Sequence, residues 1–215
     1  MKTIMPIMLV TFLFIGSAYS QKKNASFSVS AGISSAFYFT DANGSSSSDF
    51  KTGFDGGISA RFPTGKYWGI EPGLFFVQKG GIENLEDGTN VTVKATTTLN
   101  YLELPVDMCY SKRNRFFFGF GPNFGFALSG KTKFENGSDA ESISLKFGNS
   151  IDDDLKGFEL GANLLGGFQL RNALFIAVNI NTGLNNLSND NEFNYNNGYM
   201  GIRLGYTFGK KQAKN

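Results

Sequence analysis

Histidine is missing from all 215 residues, and its absence removes the commonest general base with every arrangement built on it. Ser-His, Cys-His and Asp-His pairs cannot be assembled, nor can a histidine metal site. A single cysteine, Cys109, excludes an internal disulfide and a thiolate zinc cluster. It reads as a small apolar residue at a strand end. Charge is also scarce, at 18% of residues, with 20 Lys and Arg against 18 Asp and Glu. That balance offers no basic face to nucleic acid. Beyond residue 21 no apolar run approaches the roughly 18 to 20 residues of a membrane helix. No sustained i, i+3, i+4, i+7 spacing marks amphipathic helices either. Two acidic clusters, Glu83/Glu86/Asp87 and Asp152/Asp153/Asp154, lack the alternating spacing of a calcium loop. They read as solvated loop charge. The expectation is a protein with no catalytic, metal or cofactor-binding residues, and not an enzyme.

What is abundant is glycine, 27 residues, and phenylalanine, 23. At the N-terminus, Lys2 precedes an apolar run from Ile4 to Ile15, followed by small residues with Ala18 and Ser20 at the −3 and −1 positions before Gln21. This pattern predicts an export signal over residues 1–20, cleaved near Ser20, and a single mature domain over 21–215. Gln21, not cysteine, stands directly after the cleavage site, which argues against a lipoprotein leader.

Within the mature chain the recurring period is two. The stretch FFFGFGPNFGFALSG puts Phe116, Phe118, Phe120, Phe124 and Phe126 on one face and Gly119, Gly121 and Gly125 on the other. Similar alternation predicts eight strands, over residues 25–39, 53–62, 67–78, 97–110, 116–130, 157–170, 173–182 and 198–208. The phase of the first falters at Ser34-Ser35, where a bulge is expected. Long polar connections (41–51, 80–96, 131–156, 185–197) alternate with short ones (63–66, 111–115, 171–172). The stretches Gly44–Ser48 and Asn185–Asn197 read as flexible exposed loops.

An even number of strands with alternating long and short connections fits an all-β, eight-stranded antiparallel up-and-down transmembrane β-barrel. Its short turns would be periplasmic, its long loops extracellular and both termini periplasmic. The rings then face lipid, while glycine and polar groups fit around a narrow axis. Tyr67, Trp68, Tyr110, Tyr206 and Phe208 fall at the short-turn ends, as an interfacial girdle requires. The inward phase collects Asp55, Arg61, Glu71, Glu103, Asp107, Glu159 and Arg203. These are expected to form a structural lumen network in which Arg61 and Arg203 bridge carboxylates. Carboxylates outnumber arginines, which implies that some are protonated or reached by water. Alternation alone fits two rivals: a secreted soluble lipocalin-like barrel holding an apolar ligand, and a small transport pore.

The stretches IEPGLFFVQKGG (Ile70 to Gly81), LNYLELPVDMCY (Leu99 to Tyr110) and GFGPNFGF (Gly119 to Phe126) resemble the PorT-like outer-membrane β-barrel proteins. In that family a strand of the form E-P-x-L-x-x-x-x-K-G-G precedes one of the form Y-L-E-I-P, and Leu104 stands here where isoleucine is common. The resemblance implies the barrel fold and residence in the bacterial outer membrane, with membrane lipid as surroundings, and it implies no activity. The last strand, GYMGIRLGYTF, is similar to the terminal strand read by the outer-membrane assembly machinery. The expected protein is a non-enzymatic monomer whose long loops are available to an unidentified surface partner.

Overall fold

The computed structural model describes residues 25–40, 46–86, 92–112, 115–137, 139–190 and 193–208. The expected export signal lies outside them, as do Gly44, Ser45, Asp87, Arg113 and Asn114. Among the described residues ten strands follow in chain order: β1 (Ser26–Thr40), β2 (Ser46–Ser47), β3 (Lys51–Pro63), β4 (Trp68–Glu86), β5 (Thr92–Lys112), β6 (Phe116–Asn136), β7 (Asp139–Leu145), β8 (Phe158–Gln169), β9 (Leu174–Gly183) and β10 (Tyr195–Phe208). Eight of them form an antiparallel ring in sequence order, closed where β10 pairs with β1 from Phe27↔Phe208 to Thr40↔Tyr195. The short β2 and β7 pair with β1 and β6 at the long-loop end.

The pairings fix the dimensions of the ring. From Asp55, cross-strand partners run through Gly32, Arg203, Ala177, Gly167, Phe117 and Ser111 to Tyr67, ten residues along β4's path from Val77, which pairs with Asp55 directly. A shear of ten in eight strands tilts them steeply and leaves a lumen that side chains can fill.

Outward positions are apolar and unburied. Phe27, Ile33, Phe120, Leu164 and Ile202 are each at least half exposed. On β6 the outward run from Phe118 to Leu128 spans about 25 Å at ordinary strand rise and tilt, the height of a membrane barrel's apolar band. Its short-turn border is aromatic. Trp68 lies 5.2 Å from Tyr110 and 6.0 Å from Phe118, Tyr67 lies 5.8 Å from Tyr110, and Tyr206 lies 4.8 Å from Phe208, centroid to centroid. A second cluster, Phe37 with Phe39 and Phe50 at 5.1 and 5.3 Å, marks the opposite border.

Several expectations need correction. β1 carries no bulge at Ser34-Ser35: it pairs without interruption on both sides, and Ser30, Ser34, Ala36 and Tyr38 all point inward. Two adjacent serines simply occupy the two faces in turn. The register shift lies instead between β5 and β6, where Asn100 faces Ser129 and Tyr101 faces Ala127, leaving Leu128 as the extra residue. Much of the expected loops is also strand. β4 and β5 stay paired out to Glu86↔Thr92, and β6 continues to Asn136 with β7 beside it. Polar, β-branched sequence such as TVKATTT, with Ala95 and Thr97 buried on its inner face, sustains a hairpin beyond the apolar belt.

The asparagine-rich connection after β9 is not a free loop. Asn186 Oδ1 accepts from the amides of Ser188 and Tyr195, each at 2.9 Å, and Asn189 Nδ2 donates to the carbonyls of Asp153 and Gly148 at 2.9 and 3.2 Å. In the connection after β7, Asp153 Oδ2 accepts from Ser150 N at 2.9 Å and Asp154 Oδ2 from Lys146 N at 2.7 Å. Those carboxylates therefore shape a turn as well as meeting solvent. Together the two connections deliver Leu155 and Leu187 onto Leu99 and Tyr101, with Phe147, Leu145, Ala127 and Tyr195 packed around them. This apolar cap covers the long-loop end of the lumen. Of the serine stretch, Ser47 lies in β2, and buried Ser48 accepts from Tyr38 N at 3.0 Å.

Candidate functional site

The polar residues of this chain converge on the barrel axis. Asp55, Glu103, Asp107, Glu159 and Arg203 are buried on the inward face, and Arg61 and Glu71 are half-buried near the short-turn end. At the centre of the upper lumen stands a residue absent from the expected set, Lys79. It is fully buried, with its Nζ 2.6 Å from Glu103 Oε1 and 2.5 Å from Glu159 Oε1. Tyr199 donates its hydroxyl to the other Glu103 oxygen at 2.7 Å, and Asn197 Nδ2 donates to the other Glu159 oxygen at 3.1 Å. The rings of Tyr101 and Tyr199 flank the ammonium at 5.0 and 5.3 Å from their centroids. One cation thus joins β4, β5 and β8 across the tube, with β10 closing the set.

The geometry explains the spacing in the sequence. Gly125 lies on the row between Glu103 of β5 and Glu159 of β8. A Cβ there would stand 3.2 Å from the Tyr101 ring and 3.3 Å from Glu159 Cβ, so glycine leaves the two carboxylates room to converge. Gly80, beside Lys79, adopts φ +120° and would place a Cβ against the Thr97 carbonyl. Only glycine accepts that combination. The motif pieces K-G-G and Y-L-E-L-P therefore supply the two ends of one ion pair.

A second layer lies nearer the short turns. Arg203 Nε donates to Asp55 Oδ2 at 3.0 Å, and its guanidinium stacks 4.1 Å from the Phe75 ring centroid. Gly201 makes space here, since a Cβ would meet Asp55 Oδ2 and Asn179 Oδ1, each at 2.6 Å. Asp107 Oδ2 accepts from Asn163 Nδ2 at 2.8 Å, and no cation lies within ion-pair distance of Asp107 among the described residues. The amides of Asn123, Asn179 and Asn181 find no protein partner among the described residues, the condition under which buried polar groups recruit water.

Arg61 departs from expectation. Its Nη2 donates to the Cys109 carbonyl at 3.1 Å, while Glu71 accepts from Ser59 Oγ at 2.9 Å. Among the described residues Arg203 bridges a carboxylate and Arg61 does not. Lys79 takes the role assigned to a second arginine and reduces the carboxylate surplus. Continuing the inward phase of Gly69, Glu71 and Gly73 past residue 78 would have found it. Below Arg203 the lumen opens at the short-turn end into a cavity of about 50 Å³, lined by Ser28, Ser59, Arg61, Phe117, Phe175 and Thr207 among others. Cys109 is a buried free thiol on this side.

Outside the barrel wall, Lys133 Nζ sits 2.6 Å from Glu135 Oε1. That hydrogen bond, reinforced by the ammonium charge, holds the Glu135 carboxyl below its ordinary range.

The sequence profile of the family described as outer membrane protein beta-barrel domain matches residues 16–189. No curated protein matches the sequence. Among solved structures, Ail, the attachment invasion locus protein of Yersinia pestis, crystallised with the heparin analogue sucrose octasulfate, is similar at 15% identity and a TM-score of 0.51. The match covers 86% of this chain and all of Ail. Neisserial surface protein A matches at 12% identity and a TM-score of 0.43, over 86% of this chain and 99% of its own. At such identities the likeness to Ail is one of fold.

Proposed function

The chain belongs to the outer membrane protein beta-barrel domain family, and from that membership we propose a non-enzymatic, monomeric outer-membrane barrel whose lumen is closed by its own side chains. The observation that carries this reading is Lys79 held between Glu103 and Glu159 across the tube. A buried charge with two partners from different strands is a cross-brace, and breaking it exposes charge that cannot reach water. Asp55, Arg203, Asp107, Arg61 and Glu71 extend the same structural role toward the short turns. Without histidine, the lumen offers carboxylates already engaged in holding the wall.

Residues 1–20 are the export signal, and residues 21–215 form the mature domain. The termini lie in the periplasm, and the terminal strand ending at Phe208 is read by the assembly machinery. Within the family, the paired stretches around Lys79 and Glu103 favour the PorT-like branch. The extended hairpins of β4 to β7 and the capped loops form the surface available to partners outside the cell.

A lipocalin-like barrel would turn its rings inward around an apolar ligand. Here Phe118, Phe120 and Phe124 alternate with buried Gly119, Asn123 and Gly125 and point outward. Gel mobility in detergent tests the choice. The folded protein should run differently from a boiled sample, whereas a fold that forms in water without detergent would contradict the proposal.

A further inference from the structure

The outward face of β4 to β7 changes character abruptly at the long-loop border of the apolar belt. Phe76, Leu102, Phe126 and Leu128 end the belt on β4, β5 and β6. Next comes a row of outward polar side chains joined by hydrogen bonds: Gln78 Nε2 to Asn100 Oδ1 at 3.1 Å, and Asn100 Nδ2 to Ser129 Oγ at 2.9 Å. Polar side chains that bond one another along a wall mark the level at which hydrocarbon gives way to headgroups.

Directly beyond that row the same face carries lysines. Lys131 pairs with Thr98 of β5 on one side and Ser144 of β7 on the other; Lys133 pairs with Thr96 and Ser142. Each lysine is thus set between two hydroxyl residues, two rows deep, and Lys94 stands one row further, opposite Glu135. Lys94 and Lys131 are exposed, and Lys133 and Glu135 share their ion pair at the surface. Three ammonium groups face one carboxylate. The belt's short-turn border is built of rings instead.

We propose that this ledge binds the phosphate groups of a phosphorylated glycolipid in the outer leaflet, with Lys131 and Lys133 as its principal contacts. The inference rests on the outer-membrane reading, which sets the long-loop end of the belt against that leaflet. Ammonium groups at headgroup depth attract phosphate, and the flanking hydroxyls donate to phosphate or sugar oxygens. Glu135 restrains the site by occupying Lys133.

The test uses the full mature chain refolded in detergent, with boiling-dependent gel mobility as proof of a folded barrel. Binding of lipid A is then titrated against dephosphorylated lipid A, phosphatidylglycerol and inorganic phosphate. Wild type should bind lipid A saturably and prefer it to all three controls. Lys131→Ser with Lys133→Ser should weaken binding on the order of tenfold, the double arginine variant should retain it, and Glu135→Gln should tighten it. A folded barrel that binds the double serine variant equally well, or does not distinguish phosphorylated from dephosphorylated lipid, overturns the proposal alone. Equal binding of phosphatidylglycerol or inorganic phosphate overturns the glycolipid assignment. Loss of the mobility shift in wild type would take the outer-membrane reading down with it.

Discussion

The two halves of the lumen are closed by different physics. Toward the long loops, an ion pair between three strands lies under an apolar cap of Leu99, Leu155, Leu187 and Phe147. Toward the short turns, the buried Asp55–Arg203 pair gives way to hydroxyls, Arg61 and a cavity at the mouth, where Arg61 holds a backbone carbonyl rather than a charge. Buried charge demands full compensation and half-exposed charge does not. The upper half should therefore be rigid and intolerant of substitution, and the mouth below the Asp55–Arg203 pair permissive. The same contrast separates the barrel's two faces, since the lipid side has no water with which to solvate an introduced charge and the lumen has polar groups in excess.

The comparison breaks first at Lys79. Lys79→Met preserves length and leaves Glu103 and Glu159 buried without a cation, so it should cost about 3–5 kcal/mol, read from urea unfolding in micelles. Adding Glu159→Gln to it should recover part of that loss. A cost near zero for the single change would mean that water or protons compensate the pair. Leu187→Ala, in the cap, should follow at roughly 2–5 kcal/mol, because the side chain is fully buried against Leu99 and Leu155. Thermal unfolding of the refolded barrel measures it, and a smaller effect than at Arg61 would show that the cap is loosely seated.

The contrast between faces is sharpened by a neighbouring pair. Phe124→Lys places a charge at mid-height on the lipid side and should cost about 2–4 kcal/mol. Asn123→Lys, one residue away, points into a lumen that contains Asp107 and unpartnered amides, and should cost less. Folding yields into vesicles compare the two, and the reverse order would contradict the assigned phase. The smallest effect is expected at Arg61→Ala, below about 1 kcal/mol, since one half-exposed hydrogen bond to a carbonyl is lost. An effect as large as that of Lys79→Met would erase the distinction between the halves.

Most of the architecture was legible because a barrel writes itself in period two. Every expected strand exists, and Phe54, Leu102, Phe120, Ile176 and Ile202 all point the way their alternation indicates. Strand ends were less legible. Beyond the belt the outward face of β4, β5 and β6 turns polar while Ala95 and Thr97 stay buried inside, so Ile82, Val93 and Thr96 lose the apolar contrast on which alternation depends. Lys79 was hidden by its place next to two glycines, where the strand looks finished. Pairings across the lumen were beyond sequence reasoning, since Lys79 and Glu159 stand 80 residues apart and only closure of the ring brings them together. The asparagine-rich cap was missed because the side chains that suggest solvent also bond backbone, as Asn186 and Asn189 do here.

The sealed lumen is the claim on which the functional reading turns, and planar-bilayer recording of the purified wild-type barrel addresses it most directly. A tube braced by Lys79 and capped by Leu187 should remain electrically silent across the voltage range. Stable, ohmic current steps that scale with protein inserted would contradict it.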